Sequence, residues 1–280
     1  MLTLFRYIRL MPEAPPIVLS IAGFDPSSGA GVTADVKTIA ALGCYGISAI
    51  TALTIQSTAG VRRVIPVEPE LLVESLDELV RDVKVSAVHI GILGTGNLVS
   101  TVARFLRHAR LPNVVLDPIL VSSSGSRLLD TPGVELLRRE LMPLADVITP
   151  NIDEAAALTG LEVKNPDQMA VAAERFHEMG AEAVVVTGGH LDPSSDILSV
   201  SGEVVRKFQG EHLRSTNTHG TGCAFSTALA CYLALGERLP MAVARAKTYV
   251  TEAIRSSYSI GTGRSPINHM YRLRAMDVEK

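Results

Sequence analysis

The chain has 280 residues, 47% of them hydrophobic, so it can bury a large core and does not read as a disordered segment. Its net charge is -3, its pI is about 6.2 and it has no basic block, which argues against nucleic acid as a partner. The three cysteines, at 44, 223 and 231, give neither a disulfide framework nor zinc-site spacing, so a reducing, cytoplasmic setting is expected.

Residues 1–16 read as an N-terminal extension. Arg6 and Arg9 interrupt its apolar residues, and Pro12, Pro15 and Pro16 break any helix. No stretch there or later is long and apolar enough for a membrane helix. Residues 17–280 are expected to form one domain.

Short apolar runs follow at 17–22, 46–53, 87–93, 114–117, 147–149 and 184–187. They are continuous rather than alternating, as in strands buried on both faces. Helical patterns lie between them. Leu72, Leu76, Leu79, Val80 and Val83 share one face over 70–83, and Leu98, Val102, Phe105 and Leu106 do so over 97–107. A third helix is expected from Asp167 as N-cap to Gly180 as C-cap. Beyond residue 190, runs at 197–200 and 204–208 flank Ser201-Gly202, a hairpin signal, and two helices follow over 222–235 and 240–257. The alternation predicts an α/β domain with a mainly parallel sheet between two helical layers.

Polar or glycine-rich clusters follow the expected strand ends at 23–31, 56–60, 91–96, 117–125, 149–154 and 188–190. Open α/β sheets bind ligands at that rim. Gly220-Thr221-Gly222-Cys223 precedes an apolar helix, and a glycine-rich helix start suits an anion such as phosphate. A plain helix-starting turn would look the same. The helix end is expected to lower the Cys223 thiol pKa, so that a thiolate could accept a proton; a small buried apolar residue is the plainer reading. Asp35, early in a helix, could simply favour the helix N-terminus. Gln56 follows the second expected strand, and its amide could read the edge of a heterocycle or sit in solvent.

Asp117, Asn151 and Glu154 share the rim and could hold Mg²⁺ through waters, although Glu154 also suits a first helical turn. Thr187-Gly188-Gly189-His190 permits close approach of a planar or phosphate ligand, or is a tight turn. His190 and His219 read as positioning or surface residues. Gly29-Ala30-Gly31-Val32-Thr33-Ala34 matches a dinucleotide fingerprint, but it lies too far past the strand and lacks the acidic partner. The P-loop pattern is absent.

In chain order, AGFDPSSGAGVTADVKT, GISAITALTIQST, HIGILG, VVLDPILVSSSGSRLL, ITPNIDEAAALTG, VVTGGH, NTHGTGCAFSTALA and the ending GTGRSPINHMY resemble the hydroxymethylpyrimidine/phosphomethylpyrimidine kinases of the ribokinase-like superfamily. The resemblance implies a three-layer α/β/α sandwich with a central, mainly parallel sheet. It implies transfer of phosphate from ATP, with Mg²⁺, to 4-amino-5-hydroxymethyl-2-methylpyrimidine and then to its monophosphate, and a homodimer. It places Gln56, Asp35, Gly23 and Ile92 at the pyrimidine; the family often has Met at the Ile92 position. It places Asp117, Asn151, Thr187 and Gly189 at the nucleotide, Glu154 at the metal, Gly220, Thr221 and Gly222 in an anion hole, and Cys223 at the catalytic position. Thr187 stands where the family often has lysine, and Asn217 where the wider superfamily has aspartate. A pyridoxal kinase of the same superfamily, a non-catalytic nucleotide-binding regulator and a Rossmann dehydrogenase are the alternatives.

Overall fold

The computed structural model describes residues 13–275 except 123, 190, 212 and 214. Most of the expected extension, residues 1–12, and His190 therefore lie outside the described residues. The strands are β1 (Ile17–Phe24), β2 (Tyr45–Ser57), β3 (Gly60–Pro66), β4 (Val85–Ile90), β5 (Val114–Leu116), β6 (Val147–Ile148), β7 (Ala183–Val186), β8 (Ser194–Val200) and β9 (Arg206–Gly210). Among the described residues they form one sheet, ordered β3-β2-β1-β4-β5-β6-β7-β8-β9. From β2 through β7 neighbouring strands run parallel; β3, β8 and β9 join antiparallel.

The helices are α1 (Gly31–Ala41), α2 (Pro69–Asp82), α3 (Gly96–Ala109), α4 (Thr131–Leu136), α5 (Ile152–Thr159), α6 (Pro166–Glu178), α7 (Thr221–Ala234), α8 (Leu239–Arg255) and α9 (Tyr271–Ala275). The two-residue period of the strands separates two cores. Val88, Ile90, Val114 and Leu116 face one side, with residues of α2, α3, α5 and α6. Ala87 and Val115 face the other, with residues of α1, α7 and α8. Each large aliphatic side chain buried this way contributes about 1.5–3 kcal/mol. The expected three-layer sandwich is present.

Three expectations need correction. β2 runs four residues past Leu53, so Gln56 lies within the strand, paired with Val61, rather than after it. Its partner β3 gave no sequence signal, because the connecting Thr58-Ala59 is not a usual hairpin pair and Arg62-Arg63 breaks the apolar run. The β2–β3 ribbon is also half-exposed rather than buried on both faces, with Leu53 47% and Ile55 42% exposed. Finally, Asn165 caps α6, its Oδ1 accepting the Gln168 N–H at 3.0 Å; Asp167 lies inside the first turn, and Gly180 turns left-handed one residue after the C-cap Met179.

Strand order reverses direction about β1, with β2 on one side and β4 on the other. Ligands bind beyond the carboxyl ends of the strands at such a point. The segments after β1, β4, β5, β6 and β7 meet on that rim.

Candidate active site

The rim is organised around the start of α7. Gly220 is its N-cap, in a left-handed conformation (φ 82°), and no side chain caps the helix. The first N–H groups of a helix lack intrahelical partners and carry the positive end of the dipole, so this terminus suits an anion. Gly222 leaves its side open toward Asp117, whose Oδ2 would lie 3.9 Å from a β-carbon there.

Asp117 follows β5 and is buried, and Oδ2 has no hydrogen-bond partner. Burial pushes its pKa up to about 6, against the pull of His89. Cys223 and Ser226, one helical turn apart on α7, lie close enough to Asp117 to offset part of that rise. The expectation of a lowered Cys223 pKa is overturned. Burial pushes the thiol well up, and the carboxylates of Asp117, Asp35 and Glu154 add to the rise. Three nearby negative charges and desolvation outweigh the helix terminus.

Asp35 lies deeper. It sits in the second turn of α1, fully buried, rather than at the helix start or on an open pocket wall. Ser20 Oγ donates to Oδ2 at 2.6 Å, Thr227 Oγ1 donates to Oδ1 at 2.8 Å, and His89 Nδ1 lies 3.1 Å from Oδ2. Both oxygens are thus engaged inside the protein, one helical turn below Cys223. Burial pulls the His89 pKa down, but the charge and hydrogen bond of Asp35, then Asp117, raise it overall. Neither His89 nor its hydroxyl neighbours stood out in the sequence.

Asn151 and Glu154 form a capping box at α5. Asn151 Oδ1 accepts the Glu154 N–H at 2.9 Å, and Glu154 Oε2 accepts the Asn151 N–H at 3.0 Å. Glu154 is 7% exposed; burial and the charge of Asp117 push its pKa up to about 8. Among the described residues no three His, Cys, Asp or Glu side chains could hold a metal ion together. A hard cation that keeps its waters and binds phosphate as well needs only one or two carboxylates, and Asp117 Oδ2 offers an unused acceptor.

The loop after β1 closes on Asp25. Its carboxylate accepts the N–H groups of Ser27, Gly29 and Ala30 at 2.8, 3.2 and 2.9 Å, and His219 Nε2 lies 3.0 Å away. Those N–H groups are therefore committed to Asp25 rather than presented to a dinucleotide pyrophosphate, which removes the basis of the Rossmann alternative. Asp-Pro-Ser-Ser is a turn sequence in which Asp bonds the backbone two residues on, so Asp25 was detectable but was not singled out.

His219 Nε2 also lies 3.2 Å from Gln56 Nε2, joining α7's entry to β2. A register shift between Ile55 and Gln56 marks a bulge that re-aims the Gln56 side chain. Gln56 and His219 line a cavity of about 410 Å³ together with Thr58, Ser122, Ser124 and Arg264. Ser124 is tied to the ribbon, Val61 N–H donating to its Oγ at 3.3 Å. Gly23 and Ile92 meet at the ends of β1 and β4, where a β-carbon on Gly23 would lie 3.6 Å from Ile92 Cβ. Neither lines that cavity.

After β7, Thr187 donates its N–H to Pro150 O at 2.9 Å and bridges to Asn151. Gly189 has open space where a β-carbon would point. The crowded glycine is Gly188, where a β-carbon would stand 2.3 Å from Ser195 O. The sequence signal of close approach thus reports packing at Gly188 as well as room at Gly189.

The family described as Phosphomethylpyrimidine kinase matches residues 25–268. The chain is 43% identical over 272 residues to the thiamine biosynthesis bifunctional protein ThiED of Geobacter sulfurreducens, covering 96% of this chain and 55% of that protein. It is 39% identical to the hydroxymethylpyrimidine/phosphomethylpyrimidine kinase of Streptomyces coelicolor, covering 94% of this chain and 97% of that one. The fold is similar to Bacillus subtilis pyridoxal kinase in an ADP complex (TM-score 0.85, 33% identity, 94% of this chain and 100% of that one). It is also similar to phosphomethylpyrimidine kinase from Clostridium difficile 630 (TM-score 0.76, 36% identity, 85% of this chain and 99% of that one).

Proposed function

Because the chain belongs to the phosphomethylpyrimidine kinase family, we propose that it uses ATP to phosphorylate 4-amino-5-hydroxymethyl-2-methylpyrimidine to the monophosphate and then the diphosphate, a thiamine-biosynthetic activity. The observation that carries this reading is the uncapped start of α7 beside Asp117, adjoining the cavity of Gln56 and His219. Phosphoryl transfer is catalysed mainly by positioning and charge stabilisation, and this arrangement supplies both.

The N–H groups of 221–223 hold the transferred phosphoryl oxygens. Gln56, fixed by His219 and by Thr54 Oγ1 at 3.2 Å, presents its amide to the pyrimidine. Gly23 and Ile92 meet at the ends of β1 and β4, outside the cavity wall, and Thr187 and Gly189 border the nucleotide. Asp35 acts from below, through Thr227 and His89, without touching the substrate. Cys223 is a neutral thiol beside Asp117, so it works as a relay. The acceptor hydroxyl proton passes to Sγ as the thiol proton passes to Asp117, and the freed oxygen attacks the γ-phosphorus as ADP leaves.

Glu154 is the residue that would hold Mg²⁺, whose charge would offset that of the phosphoryl oxygens. No helix of the described residues is long and apolar enough to cross a membrane. Leu53 and Ile65 pair across β2 and β3 and, with Ile55, leave an exposed apolar strip that supports a homodimer. Light scattering on the purified protein tests it.

The decisive assay couples ADP release to oxidation of NADH, first with the pyrimidine alcohol and then with its monophosphate. ATP-dependent turnover of both is expected; no turnover of either sinks the reading and favours a non-catalytic nucleotide binder. The likeness to Bacillus subtilis pyridoxal kinase carries a second reading, pyridoxal as acceptor. A higher kcat/KM for pyridoxal than for the pyrimidine would favour it.

A further inference from the structure

Asp196 lies in β8, and its carboxylate joins the turn after β7 to α8. Oδ1 accepts the Gly188 N–H at 3.0 Å, and Oδ2 accepts from Lys247 Nζ of α8 at 2.7 Å. The ammonium also donates to Ser194 Oγ at 3.3 Å. The side chains are 14% exposed for Lys247 and 6% for Asp196.

The surroundings leave this pair little freedom. A β-carbon on Gly210 would stand 2.7 Å from Lys247 Cε, so the lysine stem crosses β9 where β9 has no side chain. Gly188 is packed against Ser195 O on its other side. Its neighbour Thr187 is bonded to Pro150 O and bridged to Asn151, the N-cap of the helix that carries Glu154. One carboxylate therefore fixes the direction of the Gly188 peptide within the turn that follows β7. That turn in turn abuts the capping box.

We propose that Asp196 and Lys247 form a positioning clamp on the nucleotide-binding turn 187–189, acting on ATP affinity and not on the pyrimidine acceptor. The clamp rests on the reading of that turn as nucleotide-binding. A peptide N–H held by an ionised acceptor is pre-oriented, so less ordering is needed when ATP arrives. Lys247 neutralises Asp196, which would otherwise put an unpaired carboxylate beside a polyphosphate. Neither residue touches the reacting atoms.

Steady-state kinetics with ATP and the pyrimidine alcohol, run beside melting curves, test this. Lys247→Met and Asp196→Ala are each expected to raise the ATP KM at least tenfold, with the acceptor KM within threefold of wild type. Lys247→Met strands a buried charge and can fail to fold. The double variant Asp196→Asn with Lys247→Met has no buried charge, and its amide oxygen still accepts the Gly188 N–H. It is expected to melt close to wild type, with an ATP KM within threefold of it. A wild-type ATP KM in folded Asp196→Ala overturns the clamp. So does an acceptor KM that rises in step with the ATP KM, or a folded double variant whose ATP KM is tenfold raised. Wild-type turnover that does not depend on ATP overturns the reading of the turn itself, and the clamp with it.

Discussion

Gly220 packs against the backbone of Gly29 so closely that a β-carbon on Gly220 would stand 1.8 Å from the Gly29 carbonyl oxygen. The contact joins the Asp25 loop to the N-cap of α7, and Gly220 also needs its left-handed φ of 82°. Gly220→Ala is expected to displace the helix start and lower kcat by about 10²-fold, the scale of an ångström-sized misplacement. Melting should fall as well. An alanine variant with wild-type kcat would show that the helix start does not hold the transferred group.

Asp117 and Cys223 make a paired prediction. Asp117 must be ionised to receive the relayed proton, and burial pushes its pKa up to about 6. The kcat/KM profile should therefore rise with pH through about 6 and level above it. Asp117→Asn should abolish that limb and cost about 10²–10⁴-fold, the usual contribution of a general base. Cys223→Ala should lower kcat in the same range, and Cys223→Ser less, since a hydroxyl can still pass a proton. Full kcat in Cys223→Ala at saturating substrates would remove the relay.

His89 and Asp35 form a buried pair 3.1 Å apart. His89→Leu leaves the carboxylate with hydroxyl donors only, and breaking a buried pair this way costs about 3–5 kcal/mol. The sign of the pH dependence follows from the raised His89 pKa. Its stabilisation is complete below the unfolded value of 6.5 and is lost as pH rises through the higher folded value. The gap in Tm between wild type and His89→Leu should be wide at pH 6 and narrower at pH 9. A gap independent of pH would mean that the imidazole only fills space.

Glu154 behaves oppositely to a salt-bridged carboxylate. Its pKa is pushed up from 4.5 to about 8, so the folded protein holds a proton that the unfolded chain releases. Stability should fall as pH rises from about 4.5 to about 8 in the ligand-free enzyme. Glu154→Gln keeps an acceptor for the Asn151 N–H and removes the titration. It should melt higher than wild type at pH 8 while turning over far more slowly. Equal pH slopes for the two proteins, by calorimetry, would refute the shift.

Much of the rim was legible in the sequence. Gly220, Gly222, Asp117, Asn151 and Glu154 announce themselves because a turn, a strand end or a cap demands those residue types within a few positions. The parallel strands were legible because burial on both faces requires unbroken apolar runs. β3 was not, because an edge ribbon half in water carries no such run. The burial of Asp35 and the raised pKa of Cys223 were not legible locally, since helix position is a local property and burial is not.

The sequence by itself determined the layered α/β fold, the segments on the rim and the chemistry those segments can support, because propensity, period and turn residues act over short range. Only the tertiary structure decided which charges lie together. Asp35 meets His89 across 54 positions and Thr227 across 192, and Gln56 meets His219 across 163. Such approaches, together with that of Asp117 to Cys223 and Glu154, set the desolvation and Coulomb energies that hold Cys223 as a thiol, raise the Glu154 pKa and turn Asp35 inward, and no local pattern encodes them.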